Sequence, residues 1–300
     1  MRPDPPPGLV ALRNVGRRYG LGGPWVLRGV DLDVAAGTLV RVQGANGTGK
    51  STLLRLVAGI DAPGEGRVVG RPRTAYVPER FPAALPFTAL GYLTHMGRVQ
   101  GLVRERAARR AGEWLERFGA GGYAGTALAE LSKGSGQKVA VAGALLAAPE
   151  LLVLDEAWTG LDAAARDELD RAVAERTTDG GAVVFVDHDP RRLAGFADAT
   201  YLIDGPTLRP VTEGDVPSPD GPHVVVEAVG PARDPGLPQP HALTRLDART
   251  VRVTAPAAHS DGILRALLDA RPPWHITAVR TEPGPAAGPA AVPSPSQESR

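Results

Sequence analysis

The chain has no cysteine, which excludes disulfide frameworks, thiolate zinc sites and cysteine nucleophiles. It has almost no charge imbalance: 34 basic residues stand against 33 acidic ones, for a net charge of +1. A nucleic-acid partner bound through bulk charge is therefore not expected. Long apolar runs are missing too. The longest, Val139 to Pro149, falls well short of the roughly 18 residues that a membrane span needs. The first residues, Met1 to Pro7, have no apolar core, so no secretory signal is expected and the chain is read as soluble. Lysine is scarce: of 34 basic residues only Lys50, Lys133 and Lys138 are lysine, and the rest are arginine. What remains is 300 residues, 43% hydrophobic, enough for one large domain or two smaller ones.

Proline separates a body from a periphery. Of 29 prolines, 5 lie in residues 1–24, 17 in residues 205–300 and 7 between. Because proline breaks helix interiors and central strands, the packed body is expected at about residues 9–204. Within it Thr38–Val42, Leu151–Leu154 and Ala182–Val186 read as strands. The last two are continuous apolar runs, as in strands buried on both faces of a parallel sheet. Helices are expected over Ser51–Ile60, Arg104–Phe118, Val139–Ala147 and Ala163–Arg176. Strands alternating with helices predict an α/β fold.

After Asp204 the pattern changes. His223–Glu227 and Thr250–Thr254 read as strands, Ser260-Asp261 caps a short helix over Ile263, Leu264, Leu267 and Leu268, and Trp274–Arg280 reads as a last strand. The boundaries expected are a flexible start at 1–8, a catalytic body at 9–210, a small α+β unit at 220–282 and a disordered tail at 283–300.

Gly44-Ala45-Asn46-Gly47-Thr48-Gly49-Lys50-Ser51-Thr52 matches G-x-x-x-x-G-K-[ST], after an expected strand and at the start of an expected helix. Its glycines let backbone N–H groups approach phosphate oxygens, and the helix adds its positive end. Lys50 is expected to reach the β- and γ-phosphates and Ser51 to ligate Mg²⁺, so the chain is expected to bind a nucleoside triphosphate. A guanidinium is larger than an ammonium, which gives Lys50 a steric reason to stay lysine. About 100 residues on, Leu151-Leu-Val-Leu-Asp155-Glu156 ends a buried strand in two carboxylates. Asp155 suits the Mg²⁺ shell. Glu156, pointing to the other side, suits polarising an attacking water.

Together these residues resemble the nucleotide-binding domains of ABC transporters over about residues 9–210. Leu131-Ser132-Lys133-Gly134-Ser135 looks like the signature, Thr159-Gly-Leu-Asp162 resembles the D-loop, and His188 resembles the histidine that follows the next strand. Tyr19 stands where the family has an aromatic that stacks on adenine. The resemblance implies a P-loop fold with a mixed sheet core, a small helical subdomain at about 82–140 and a small α+β C-terminal unit. It further implies two domains paired head to tail, each ATP completed by the partner's Ser132, Lys133 and Gly134, with His188 orienting water and γ-phosphate. ATP and Mg²⁺ are the implied ligands. The implied partner is a separately encoded membrane permease, with the chain peripheral on the cytoplasmic face.

Four positions depart from the family pattern. Glu79 stands where glutamine usually ligates Mg²⁺, Lys133 and Ser135 replace the usual Gly and Gln, and Ala157 replaces a proline. Phe87–Leu93 and Met96–Leu102 resemble drug- and lipid-exporter ATPases, as does the C-terminal extension, so export is the expected direction. The alternatives are a soluble ABC ATPase that does not transport, and an ATP-switched module whose hydrolysis is weakened by Glu79.

Overall fold

A computed structural model describes residues 8–20, 22–81, 85–189, 192–193, 195–211, 223–231, 236–237, 241–257 and 260–282. Residues 1–7 of the expected flexible start and the expected tail at 283–300 lie outside them. The chain divides into two compact units, Met1–Val211 and Thr212–Arg300.

The first unit runs β1 (Val10–Arg18), β2 (Trp25–Val34), β3 (Leu39–Gln43), α1 (Lys50–Val57), β4 (Glu65–Val69), β5 (Thr74–Val77), α2 (Ala89–Val99), α3 (Arg104–Arg117), α4 (Lys133–Leu145), β6 (Leu151–Asp155), α5 (Ala163–Thr178), β7 (Ala182–Val186), β8 (Ala199–Asp204) and β9 (Thr207–Pro210). Its main sheet has the order β5-β6-β7-β3-β8-β9, parallel except for the β8–β9 hairpin. A second, antiparallel sheet has the order β2-β1-β4. The all-apolar strands β6 and β7 are buried at every position, because both faces of the main sheet are covered. Successive residues of β7 serve different faces. Val184 and Val186 join β1, β2 and α1 in one core, while Val183 and Phe185 join α2 to α5 in the other.

Three features differ from the sequence reading. The helix after the phosphate loop ends at Val57 rather than Ile60, where Gly59 turns to a φ of 69°. The helix expected at Val139 begins six residues earlier, at Lys133, despite Gly134 and Gly136. Ser132 caps it by accepting the Ser135 N–H at 3.1 Å. Almost all of α4 from Gly136 to Leu145 is buried, and packing overrides the low propensity of glycine. The antiparallel sheet was not expected at all: β1 and β2 are irregular, with register shifts after Leu12. By contrast α3 is legible, because Ala107, Ala111, Trp114 and Leu115 form one buried stripe on an otherwise charged helix.

The second unit contains β10 (His223–Val229), β11 (Ala242–Arg245), β12 (Thr250–Pro256), α6 (Ser260–Asp269) and β13 (His275–Glu282), with the antiparallel order β11-β12-β10-β13. Val224, Val226, Ala228, Val251 and Val253 pack with Ile263 and Leu267 of α6 and with Trp274. Among the described residues no helix is long and apolar enough to cross a membrane.

Candidate functional site

The loop 44–49 joins the carboxyl end of β3 to α1. Gly49 precedes the helix at φ 99°, ψ 15°, and a Cβ there would come within 2.7 Å of Val26. Only glycine meets both demands. The first-turn N–H groups of α1 have no side-chain cap, and no acidic residue lies in that turn. That leaves the positive helix end open to an anion. Lys50 is buried, and its Nζ donates to the Gly44 and Ala45 carbonyls, each at 2.9 Å. The ammonium is thereby held inside the curve of the loop. Leu53, Leu54 and Leu56, fully buried, anchor the helix at roughly 1.5–3 kcal/mol each.

Three other sequence-marked residues stand on the same elements or beside them. Tyr19 follows β1, and its hydroxyl lies 3.1 Å from Thr52 Oγ1 and accepts from Arg55 Nη2 at 2.7 Å. Its ring is half exposed and the Arg17 guanidinium lies 5.1 Å from its centre. Asp155 ends β6 and is 3% exposed. Its Oδ2 accepts from the Tyr76 hydroxyl on β5 at 2.8 Å. Burial, and then the Asp155 charge, push the Tyr76 phenol well above its ordinary pKa and keep it a donor. Sequence reasoning missed Tyr76, whose only signal is its place three residues before Glu79. Glu79 itself stands exposed in the loop after β5.

Glu156 does not continue the strand alternation. Its φ of 54° turns the chain, and its N–H donates to the Val186 carbonyl at 3.0 Å. A non-glycine residue in this region carries strain, which is characteristic of functional turns. The turn brings Glu156 Oε1 to 2.7 Å from His188 Nε2, just beyond β7. A carboxylate and an imidazole at that distance can share, take up and release a proton.

The signature residues form a separate group. Gly134 lies so close to the Gly160 carbonyl that a Cβ would stand 2.8 Å from it. Asp162 caps α5 by accepting the Ala165 N–H at 2.9 Å, and its Oδ2 pairs with Lys138 Nζ at 2.7 Å. The Lys138 hydrogen bond and then the Ala165 N–H hold the Asp162 carboxyl below its ordinary pKa. One residue before Lys138, buried Gln137 donates to the Ala157 carbonyl at 3.1 Å. These contacts tie the signature helix to the loop that follows Glu156. They also give Lys138 a role for which its sequence position alone offers no reason. Ser132, Lys133 and the N-terminus of α4 have no acidic residue in the first turn.

Comparison with known proteins agrees with this geometry. The family model described as ABC transporter matches residues 27–159. A zinc import ATP-binding protein, ZnuC, of Cereibacter sphaeroides is 43% identical over 184 residues, which cover 60% of this chain and 73% of that protein. A macrolide export ATP-binding/permease protein, MacB, of Paracoccus denitrificans is 32% identical over 230 residues, covering 68% of this chain but only 34% of that protein. Among solved structures, the dimeric post-hydrolysis state of the ATP-binding cassette MJ0796 bound to ADP and Pi has a TM-score of 0.62 at 25% identity, covering 68% of this chain and 98% of that one. The chain belongs to the ABC transporter family, as one of its ATP-binding, ATP-hydrolysing cassettes.

Proposed function

We propose that two copies of this chain close on two ATP molecules and that their hydrolysis drives a separate membrane permease. The observation that carries the reading is the Glu156–His188 pair, at 2.7 Å, at the carboxyl ends of neighbouring strands of the sheet that bears the phosphate loop. Glu156 takes the proton of the attacking water, and His188 holds the Glu156 carboxylate and the water in line with the γ-phosphate. Lys50, with the N–H groups of Gly44, Ala45, Asn46, Gly47, Thr48 and Gly49 and of the first turn at Ser51 and Thr52, holds the β- and γ-phosphates. Tyr19 offers its ring to the adenine.

Mg²⁺ fits the donors at hand, which are hard oxygens: the Ser51 hydroxyl and the Asp155 and Glu79 carboxylates. Among the described residues no group of three or more His, Cys, Asp or Glu could hold a metal by itself. When bound, Mg²⁺ neutralises charge on the phosphate oxygens, and Tyr76 keeps the Asp155 carboxylate in its orientation.

The signature group supports the paired arrangement. Gly134 packs against the Gly160 carbonyl, Lys138 pairs with Asp162, and Gln137 donates to the Ala157 carbonyl, so the signature helix and the loop after Glu156 form one group. In the proposed pair Ser132, Lys133, Gly134 and Asp162 meet the nucleotide of the second copy; the similar cassette with ADP and Pi is itself dimeric. For direction, export is supported by the stretch at 87–102 and by the C-terminal unit. Import is the second reading, favoured by the higher identity to the zinc import relative. The central experiment measures ATP turnover of the purified chain with its permease. Glu156→Gln is expected to lower it by about 100-fold or more while ATP still binds. Turnover unchanged in that variant overturns the assignment.

A further inference from the structure

Arg41 is a buried cation that the mechanism above leaves unused. It lies in β3, beside Phe185 of β7 and Thr200 of β8, and is 5% exposed. A guanidinium in the middle of a parallel sheet is costly to desolvate, and burial lowers its pKa. Its hydrogen bonds show where that cost is offset. Nη2 donates to the Asp189 carbonyl at 2.8 Å and Nη1 to the Arg192 carbonyl at 3.2 Å. Asp187 and Asp189 supply compensating negative charge, and the guanidinium lies 5.7 Å from the centre of the Phe185 ring. The two carbonyls belong to the loop that carries His188, one of them to the very next residue. The planar fork reaches both at once, which an ammonium or a neutral side chain does not match.

We infer that Arg41 is a positioning residue: it pins the His188 loop to the strand that feeds the phosphate loop, and so fixes where the His188 imidazole stands. The catalytic consequence rests on the role given above to His188. The Nε2–Oε1 distance of 2.7 Å leaves little tolerance. A displacement of about 1 Å in such a pair costs on the order of 100-fold in rate. Other elements also hold the loop. Asp187 Oδ1 accepts the Asp189 N–H at 2.7 Å, and Arg192 pairs with Asp170 at 2.7 Å. Asp198, at the far end of the same connection, is also bonded to β3 at Leu39; Arg41 differs in holding the residue next to His188 to that strand.

The test compares the full chain with Arg41→Met, Arg41→Gln and His188→Gln. The ring ¹⁵N signal of His188 is identified as the one lost in His188→Gln. In Arg41→Met it is expected to broaden and move towards that of a solvent-exposed histidine. Binding of a fluorescent ATP analogue should be retained and turnover with the permease should fall about 100-fold. Combining Arg41→Met with His188→Gln should lower turnover no further than His188→Gln alone. An unmoved His188 signal, or a further loss in the double variant, overturns the inference. If Arg41→Met fails to fold, Arg41→Gln, which is polar but too short to reach both carbonyls, decides by the same signal. Full turnover in His188→Gln would instead sink the role of His188, while the signal in the Arg41 variants still decides whether Arg41 holds the loop.

Discussion

Lys50 and Lys138 are two of three lysines in a chain of arginines, and their surroundings contrast two ways of building half a site. Lys50 is buried and bonded to backbone carbonyls of a loop clamped between a central strand and an apolar helix. Lys138, in the second turn of α4, bridges to Asp162, the N-cap of α5, whose side chain is 59% exposed. The phosphate-loop group is thus fixed by the sheet and cannot shift without disturbing it. The signature group is held by caps, one close glycine contact, one ion pair and the buried Gln137–Ala157 hydrogen bond. In the proposed dimer this difference is useful. The half that grips the nucleotide is rigid, and the half that reads the partner's nucleotide can respond to it.

The contrast breaks first at Lys50. Lys50→Arg puts a larger planar group between two carbonyls that already hold the ammonium. ATP affinity should fall on the order of 100-fold in equilibrium binding. Normal affinity would remove the steric account of why lysine persists there.

Tyr76 sharpens the comparison from the rigid side. Tyr76→Phe leaves the buried Asp155 Oδ2 without its donor and should cost about 1–3 kcal/mol in urea unfolding. The Mg²⁺ dependence of ATP binding should weaken as well. Unchanged values for both would mean that Asp155 does not depend on Tyr76.

The smallest effect is expected on the responsive side. Lys138→Met should cost less than about 1 kcal/mol, because half of the pair is solvated. Its pH dependence has a definite sign. Asp162 is held below its ordinary pKa, so the stabilisation is fully present above a pH of about 4. It disappears as pH falls through the depressed folded value. Wild-type and Lys138→Met unfolding curves should therefore converge in acid. A difference that grows towards low pH would contradict the pairing.

The chemistry of the site is largely legible in the sequence, because its motifs are local. Nine consecutive residues make the phosphate loop, Ser132 caps a helix through a residue three positions on, and an apolar run ending in Asp155-Glu156 marks a strand end. Less legible is the orientation of Glu156. Strand alternation predicts one direction, but the backbone turns at φ 54° instead. The start of α4 is hidden as well, since two glycines argue against a helix that burial and a cap then enforce. The irregular antiparallel sheet gives no clean alternation to read.

By itself the sequence determined which groups are available: an ammonium, a hydroxyl, two adjacent carboxylates, an imidazole and a capped helix, each specified by neighbours a few residues away. Only the tertiary structure decided who faces whom. Tyr76 meets Asp155 across 79 residues, Arg41 meets Asp189 across 148, and Glu156 meets His188 between adjacent strands. Such meetings depend on strand order and register, which long-range burial sets.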